Sequence, residues 1–233
     1  MNAVLASVTD VFEAELVVEC GVDWVDVKDP AAGALGAASP AIIADIVRRV
    51  GGRCPVSATI GDTWSTPELI PARVAACAAA GVDYVKAGLD ARDVEPDTLD
   101  LLARAAASHA LIVVCRAEVP PTARDVAALA ASGIAGIMLD TADKRGPGLT
   151  ALHPHEVLAG FVAEARRAGL LCGLAGRLRL ADVAALRPLG ADYLGFRGAL
   201  CDGGARIRRV ERAAVTAVVA AMRGTAENHT ATR

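Results

Sequence analysis

The sequence predicts an α/β protein built as a (β/α)8 barrel of the TIM-barrel class, in a single domain. Eight short runs rich in Val, Ile and Leu recur along the 233 residues, and segments with helical periodicity lie between them. Such apolar runs are typical of parallel strands that are buried on both faces. Eight alternating units in a chain of this length match a barrel of near-minimal size.

The predicted elements follow one another in a regular order. The strands are expected at 3–8, 24–28, 55–60, 84–89, 111–116, 136–141, 170–175 and 193–197. Two pairs, Ser39-Pro40 and Thr66-Pro67, predict helix starts, because an N-cap residue followed by proline suits the first helical turn. Glycines predict helix ends at Gly21, Gly81, Gly133, Gly169 and Gly190. We expect the barrel to span residues 1–223 and a flexible tail to follow at 224–233.

A repeated sequence supports the barrel. GVDWVDV begins at Gly21, GVDYVKA at Gly81, GIAGIML at Gly133 and GADYLGF at Gly190. Each repeat joins a predicted helix end to the next even-numbered strand. The structural alternative is a doubly wound open sheet, which usually shows a Gly-rich turn after its first strand. The sequence SVTD at that place is no such turn, so the barrel is favoured.

Composition argues against several classes of protein. The chain is 54% apolar with a net charge of -3, which gives no general attraction to nucleic acid or anionic lipid. No uncharged run reaches the ~18 residues of a membrane span. Its acidic N-terminus does not resemble a signal peptide, so we expect a cytoplasmic protein with reduced cysteines. His153 and His155 lack a third spaced ligand, and no metal site is expected. The sequence is compatible with a homo-oligomer.

Lysine is rare in this chain, and its positions are informative. Only three of the 24 basic residues are lysines, namely Lys28, Lys86 and Lys144. An ammonium group can lose its proton and act as a nucleophile or base, whereas a guanidinium cannot. All three lysines fall at or near the carboxyl ends of even-numbered predicted strands, where the active sites of such barrels form. We therefore expect the three amines to meet in one pocket.

Two aspartates accompany these lysines. Asp26 is two residues from Lys28, so both side chains face the same side of strand two. Asp140 lies near the end of strand six, four residues before Lys144. Burial and the neighbouring amines lower the pKa of a lysine, while the aspartates oppose that shift and offer a route for protons. The alternative is a structural salt bridge at the barrel rim.

Small residues and arginines follow the last two strands. Gly176 and Arg177 come after strand seven, and Arg197, Gly198 and Ala199 after strand eight. In many barrels these loops hold a phosphate with backbone N–H groups, and an arginine can fork onto its oxygens. The alternative is a set of ordinary turns.

Other features of the predicted mouth have weaker signals. Ser57 and Thr59 point to the same side of strand three, either as substrate ligands or as small polar fillers. The Gly-containing loop 32–36 is expected either to close over substrate or to bind a second anion. Arg116 and Glu118 are candidates to order the mouth.

The assembled motifs resemble one family, the (5-formylfuran-3-yl)methyl phosphate synthases (4-HFC-P synthases) of methanofuran biosynthesis. The resemblance covers nearly the whole chain, and it is carried by GVDWVDVKDP with GALGA, VSATIGD, DYVKAGL, IMLDTADK, GLAGRL and FRGALCDGG. It implies a (β/α)8 barrel and a lyase that condenses two molecules of glyceraldehyde 3-phosphate, releasing phosphate and water. It further implies a Schiff base on Lys28, proton acceptance by Lys86, and active-site roles for Asp26, Asp140 and Lys144. It implies no metal or organic cofactor.

Two other functions stay open on the sequence alone. One is a Schiff-base aldolase or lyase that acts on another phosphorylated aldehyde or ketone with the same Lys28. The other is a barrel that binds a sugar phosphate without catalysis. The lysines argue against the second, because simple anion binding accepts arginine.

Overall fold

The protein is a closed barrel of eight parallel strands surrounded by helices, as the sequence predicts. The computed structural model describes residues 3–33, 35–62 and 66–224. The strands pair in sequence order, and β8 closes onto β1. They are β1 (Ala3–Val8), β2 (Trp24–Val27), β3 (Val56–Asp62), β4 (Tyr84–Leu89), β5 (Leu111–Arg116), β6 (Gly136–Asp140), β7 (Leu171–Leu174) and β8 (Tyr193–Phe196).

Helices connect the strands on the outside of the barrel. They are α1 (Val11–Glu19), α2 (Pro40–Val50), α3 (Ile70–Ala78), α4 (Pro96–Ala106), α5 (Ala123–Ala131), α6 (Leu149–Leu152), α7 (His155–Arg167), α8 (Val183–Leu186) and α9 (Arg212–Arg223). In the described part of the chain, no helix is long and apolar enough to cross a membrane. The predicted tail after Gly224 lies outside the described residues.

The helix-start predictions had different outcomes. Ser39 caps α2, its hydroxyl accepting a hydrogen bond from the N–H of Ile42, with Pro40 in the first turn. Thr66 makes no side-chain cap, and Pro67 opens a short 3-10 turn instead. A second proline, Pro71, suits the first turn of α3, which therefore begins later than predicted. All five predicted helix-end glycines have positive φ angles, as expected of residues that end helices.

Alternation along the strands divides the core into two regions. On β1, Val4, Ala6 and Val8 pack outward against the helices, whereas Leu5 faces the barrel interior. Three aromatic rings fill the interior towards the amino ends of the strands. The centre of the Trp24 ring lies 4.6 Å from that of Tyr84 and 5.0 Å from that of Tyr193. Since side chains two residues apart face the same way, Asp26 and Lys28 lie on the same side as Trp24 and towards the carboxyl end. The barrel interior is therefore filled towards the amino ends of the strands and open at their carboxyl ends.

Candidate active site

A cavity of about 910 Å³ opens at the carboxyl end of the barrel. Lys28, Lys86 and Lys144 all line it, together with Asp26 and Asp140. Cavities of about 300–1,000 Å³ are typical of small-molecule sites, and this end of the barrel is where such enzymes carry their chemistry. The structure thus brings the three rare lysines of the sequence into one pocket.

The carboxylate of Asp26 is at the centre of the polar floor. Strand register places Ser7 of β1 and Ser57 of β3 directly beside it. The Ser7 hydroxyl donates to one carboxylate oxygen at 3.0 Å, and the Ser57 hydroxyl donates to the other at 2.8 Å. The ammonium of Lys86 forms an ion pair with Asp26 at 2.5 Å. Three neighbours therefore fix a carboxylate that is almost completely buried.

Lys28 has a looser relation to the same carboxylate. Its Nζ lies 4.0 Å from the nearest oxygen of Asp26, and its side chain is only 11% exposed. Burial lowers the pKa of Lys28 to about 8, because the charged form loses its hydration. Asp26 and Asp140 oppose this decrease, whereas the charges of Lys144 and Lys86 reinforce it. Lys28 is consequently an amine that is partly neutral near physiological pH.

Lys144 forms the third amine site with Asp140. Its Nζ donates a 2.6 Å hydrogen bond to an oxygen of Asp140. Burial alone would raise the pKa of Asp140, but Lys144, Lys28 and Lys86 lower it overall, so the carboxylate stays ionised. The loop that carries Lys144 is held by Glu118, whose carboxylate accepts hydrogen bonds from the N–H groups of Ala142 and Asp143. Glu118 therefore orders the mouth by fixing this loop.

The hydroxyls on β3 are turned to protein partners. Ser57 donates to Asp26, as described above, and Thr59 donates to the carbonyl of Leu35 at 3.2 Å in the loop after β2. Both residues are almost fully buried. These contacts favour positioning of Asp26 and of the loop over direct binding of substrate.

The predicted phosphate loops border the cavity on one side. Gly176, Arg177, Gly198 and Ala199 all line it. Gly176 has a φ of +112°, and a Cβ there would lie 2.8 Å from Thr141, so a larger residue does not fit. Gly198 and Ala199 open a 3-10 turn, so their N–H groups have no carbonyl of that turn to bind.

Arg197 differs from its predicted role. Its guanidinium donates to both carboxylate oxygens of Glu13 and to the carbonyls of Ser7, Arg206 and Arg208. These five contacts occupy all five N–H groups of an arginine. The expectation that Arg197 forks onto a phosphate is therefore not supported. Sequence could not show this, because Glu13 is 184 residues away along the chain.

Sequence reasoning also missed residues that the fold brings to the mouth. Ser7 was not singled out, although the pairing of β1 with β2 places it against Asp26. Arg206 lines the cavity from the stretch after β8. Neither residue belongs to a recognisable local pattern, since each acquires its position from a strand or loop that is distant in sequence.

Within residues 3–33, 35–62 and 66–224, no cluster of three or more His, Cys, Asp or Glu side chains could hold a metal ion. The ring nitrogen Nε2 of His153 contacts the carbonyl of Ala117. The described lining of the cavity includes amines and carboxylates, from the three lysines and from Asp26 and Asp140.

The fold and the site together define a (β/α)8-barrel protein with an amine-lined cavity. Comparison with known proteins specifies the family. Residues 4–219 match the family model described as 4-HFC-P synthase. The chain belongs to this family of synthase enzymes.

Relatives of the chain are named for the same synthase activity. A putative (5-formylfuran-3-yl)methyl phosphate synthase of Methylorubrum extorquens is 42% identical over 94% of this chain and 91% of its own length. The (5-formylfuran-3-yl)methyl phosphate synthase of Methanocaldococcus jannaschii is 34% identical over 87% of this chain and 91% of its own.

Solved structures share the fold at low sequence identity. Phosphoribosylanthranilate isomerase from Thermotoga maritima matches with a TM-score of 0.66 and 14% identity, covering 96% of this chain and 100% of that one. A 3-hexulose-6-phosphate synthase matches with a TM-score of 0.63 and 19% identity, covering 94% of this chain and 99% of that one. These two likenesses concern the barrel architecture.

Proposed function

We propose that the protein condenses two molecules of glyceraldehyde 3-phosphate to (5-formylfuran-3-yl)methyl phosphate through a Schiff base on Lys28, as a carbon–oxygen lyase acting on phosphates. The observation that carries this proposal is a buried amine, with its pKa lowered to about 8, in a cavity with two further amines. Membership of the 4-HFC-P synthase family supports the product.

Lys28 is the nucleophile in this proposal because its environment favours the free amine. Among the described residues, the nearest carboxylate oxygen is 4.0 Å from its Nζ, beyond hydrogen-bonding distance. The free amine adds to the aldehyde carbon, and loss of water then gives an iminium ion. The iminium withdraws electrons and makes the adjacent C–H acidic.

Lys86 is the group that moves protons beside Lys28. Its ammonium group lies 2.5 Å from an oxygen of Asp26. In that state it donates a proton to the departing water as the iminium forms. The neutral amine that remains then accepts the proton from the adjacent C–H, which regenerates the ammonium. Donation and acceptance thus balance within one amine.

The enamine formed in this way supplies the electron pair for the remaining steps. That pair either expels phosphate from the neighbouring carbon or forms the carbon–carbon bond to the second triose phosphate. Ring closure and loss of two molecules of water then give the aromatic furan, whose stability drives the reaction forward. Hydrolysis of the imine releases the product and returns Lys28 as the free amine. Lys144 and Asp140, joined by a 2.6 Å hydrogen bond, form a second acid–base pair in the same cavity for these eliminations.

The charge of the cavity supports phosphorylated substrates. Its described lining includes eight cationic side chains and two acidic ones, although the whole chain has a net charge of -3. Arg197 is neutralised by Glu13 and Arg179 by Asp182. The remaining excess of positive charge concentrates anions at the mouth. We propose that Gly176, Arg177, Gly198 and Ala199 hold one of the two phosphates.

The direct test is a product assay. Purified protein is incubated with glyceraldehyde 3-phosphate, and the furan aldehyde is followed by its ultraviolet absorbance and by mass spectrometry. The proposal predicts the furan product with release of inorganic phosphate. Aldol products without a furan would instead support a Schiff-base aldolase. The matched control is Arg209→Met, which removes an exposed charge outside the cavity and is expected to leave turnover unchanged.

A further inference from the structure

The stretch after β8 folds back on itself next to the cavity. Cys201 and Val210 form an antiparallel bridge, and the N–H of Asp202 donates to the carbonyl of Arg209 at 3.1 Å. We call residues 201–210 the β8 hairpin. It carries Arg206, Arg208 and Arg209 within four residues. These three arginines have different surroundings, and the difference indicates their roles.

Arg197 and Glu13 fix the backbone of the β8 hairpin through hydrogen bonds. Arg197 donates to the carbonyl of Arg206 at 2.8 Å and to that of Arg208 at 2.9 Å. Glu13, the ion-pair partner of Arg197, accepts from the N–H of Val210 at 3.1 Å. Because this ion pair is buried and fully bonded, it fixes the backbone from which the hairpin side chains extend.

Only one of the three hairpin arginines lines the cavity. Arg208 forms an ion pair with Asp202 on the hairpin itself, and Arg209 is exposed outside the cavity. Arg206 is half-buried and lines the cavity, and its Nη2 donates a 3.0 Å hydrogen bond to the carbonyl of Gly33. Gly33 belongs to the loop that follows Lys28. Arg206 therefore spans the mouth between the loops after β8 and β2.

The guanidinium of Arg206 keeps donors available at this place. Among the described residues it makes one hydrogen bond, so four of the five N–H groups of an arginine remain. Burial lowers the pKa of Arg206 and Asp140 raises it, yet a guanidinium stays charged in proteins. A half-buried planar cation with free donors at the edge of a substrate cavity suits a phosphate, which it can bind in a bidentate manner.

We propose that Arg206 binds a phosphate group of the substrate and that its hydrogen bond to Gly33 holds the guanidinium in position across the mouth. This inference rests on the proposed function for the identity of the ligand, a phosphate monoester. Arginine is required here because its Nη2 donates to the carbonyl of Gly33 while its other N–H groups donate to the anion. An ammonium group has the charge but not this division of donors.

Calorimetric titration with inorganic phosphate tests this role without any turnover. The variants are Arg206→Met, Arg206→Lys and, as a matched control from the same hairpin, Arg209→Met. We expect Arg206→Met to weaken phosphate binding by about ten- to a hundredfold, because a charge-assisted bidentate contact is lost. Arg206→Lys should be intermediate, and Arg209→Met should behave as the wild type.

A second readout separates binding from folding. Trapping of Lys28 by borohydride with unphosphorylated glyceraldehyde should be unchanged in Arg206→Met, because that aldehyde has no phosphate to bind. Phosphate titrations of both Arg206 variants that superimpose on the wild type would overturn the inference. If Arg206→Met does not fold, the Arg206→Lys titration alone decides. Absence of the furan from wild-type reactions would refute the proposed function and would leave this titration valid.

Discussion

Lys28 and Arg197 each bring a buried cation to the carboxyl end of the barrel, and only one of them is chemically available. Their exposures are nearly equal, at 9% and 8%. Every N–H of the Arg197 guanidinium has a hydrogen-bond partner. Burial raises the pKa of its partner Glu13, but the hydrogen bonds and charge of Arg197 outweigh this effect, so Glu13 stays ionised. The nearest carboxylate to Lys28 among the described residues is at 4.0 Å, and burial lowers the pKa of Lys28 to about 8.

The comparison shows that burial alone does not decide the role of a cation. A fully bonded guanidinium is a structural support, because its charge is compensated and it cannot lose a proton. A buried amine with incomplete compensation can act as a nucleophile, because burial raises the fraction of its neutral form above that of an exposed lysine. The two residues thus share an environment but differ in side-chain chemistry and in the number of bonded donors.

The largest expected effect is the loss of turnover in Lys28→Arg. The variant keeps the positive charge, but its guanidinium cannot form an imine, so we expect turnover to fall more than about 10⁴-fold. Steady-state product formation measures this, and circular dichroism checks the fold. Substantial activity in the folded variant would mean that the buried amine has no covalent role.

Lys86→Arg tests a third buried cation, which is an amine like Lys28 but forms a close ion pair like Arg197. The substitution preserves the ion pair with Asp26 but prevents exchange of the proton. We expect kcat to fall by about 10²- to 10⁴-fold with little change in KM, because positioned proton transfer contributes at this level. A raised KM with unchanged kcat would indicate a binding role instead.

Glu13→Gln breaks the structural pair. Leaving Arg197 buried without its carboxylate should lower the free energy of unfolding by about 3–5 kcal/mol. Glu15→Gln is the matched control on the same helix. Glu15 pairs with Arg53 near the surface, where water screens the charges, so its loss should lower the free energy of unfolding much less. Urea unfolding compares the two. Equal losses would show that the buried pair has no special structural weight.

Lys28→Met should stabilise the protein while it inactivates it. The folded pKa of Lys28 is about 8 against an ordinary 10.5, so the unfolded chain binds the proton more strongly. The charged Lys28 therefore lowers the free energy of unfolding. This loss is complete below pH 8, declines as the pH rises and is absent above about 10.5. At pH 7 the variant should gain about 3 kcal/mol in free energy of unfolding. A less stable variant at pH 7 would show that the charged amine supports the fold.

Much of the fold was predictable because its signals are local. Apolar runs and helix-end glycines placed the eight strands within two residues of their observed bounds. The chief differences have local causes as well. β3 continues to Asp62 through a register irregularity near Gly61, which has a positive φ, and a second proline delays the start of α3.

The site was predictable only where residue type is informative. Three lysines in an arginine-rich chain pointed to the cavity, and the motifs pointed to the family. The partners of each residue were not predictable, because they come from contacts across the barrel. Ser57 supports Asp26, and Arg197 supports the β8 hairpin through Glu13. The carbonyl of Arg206, which lines the mouth, accepts one of the hydrogen bonds of Arg197.

The most direct measurement is borohydride trapping of the wild-type protein with glyceraldehyde 3-phosphate across a range of pH, followed by mass spectrometry of the peptides. We predict one reduced adduct, located on Lys28, whose initial rate of formation rises with pH through a midpoint near 8 as the amine loses its proton. An adduct on another lysine, or no adduct at any pH, would contradict the account.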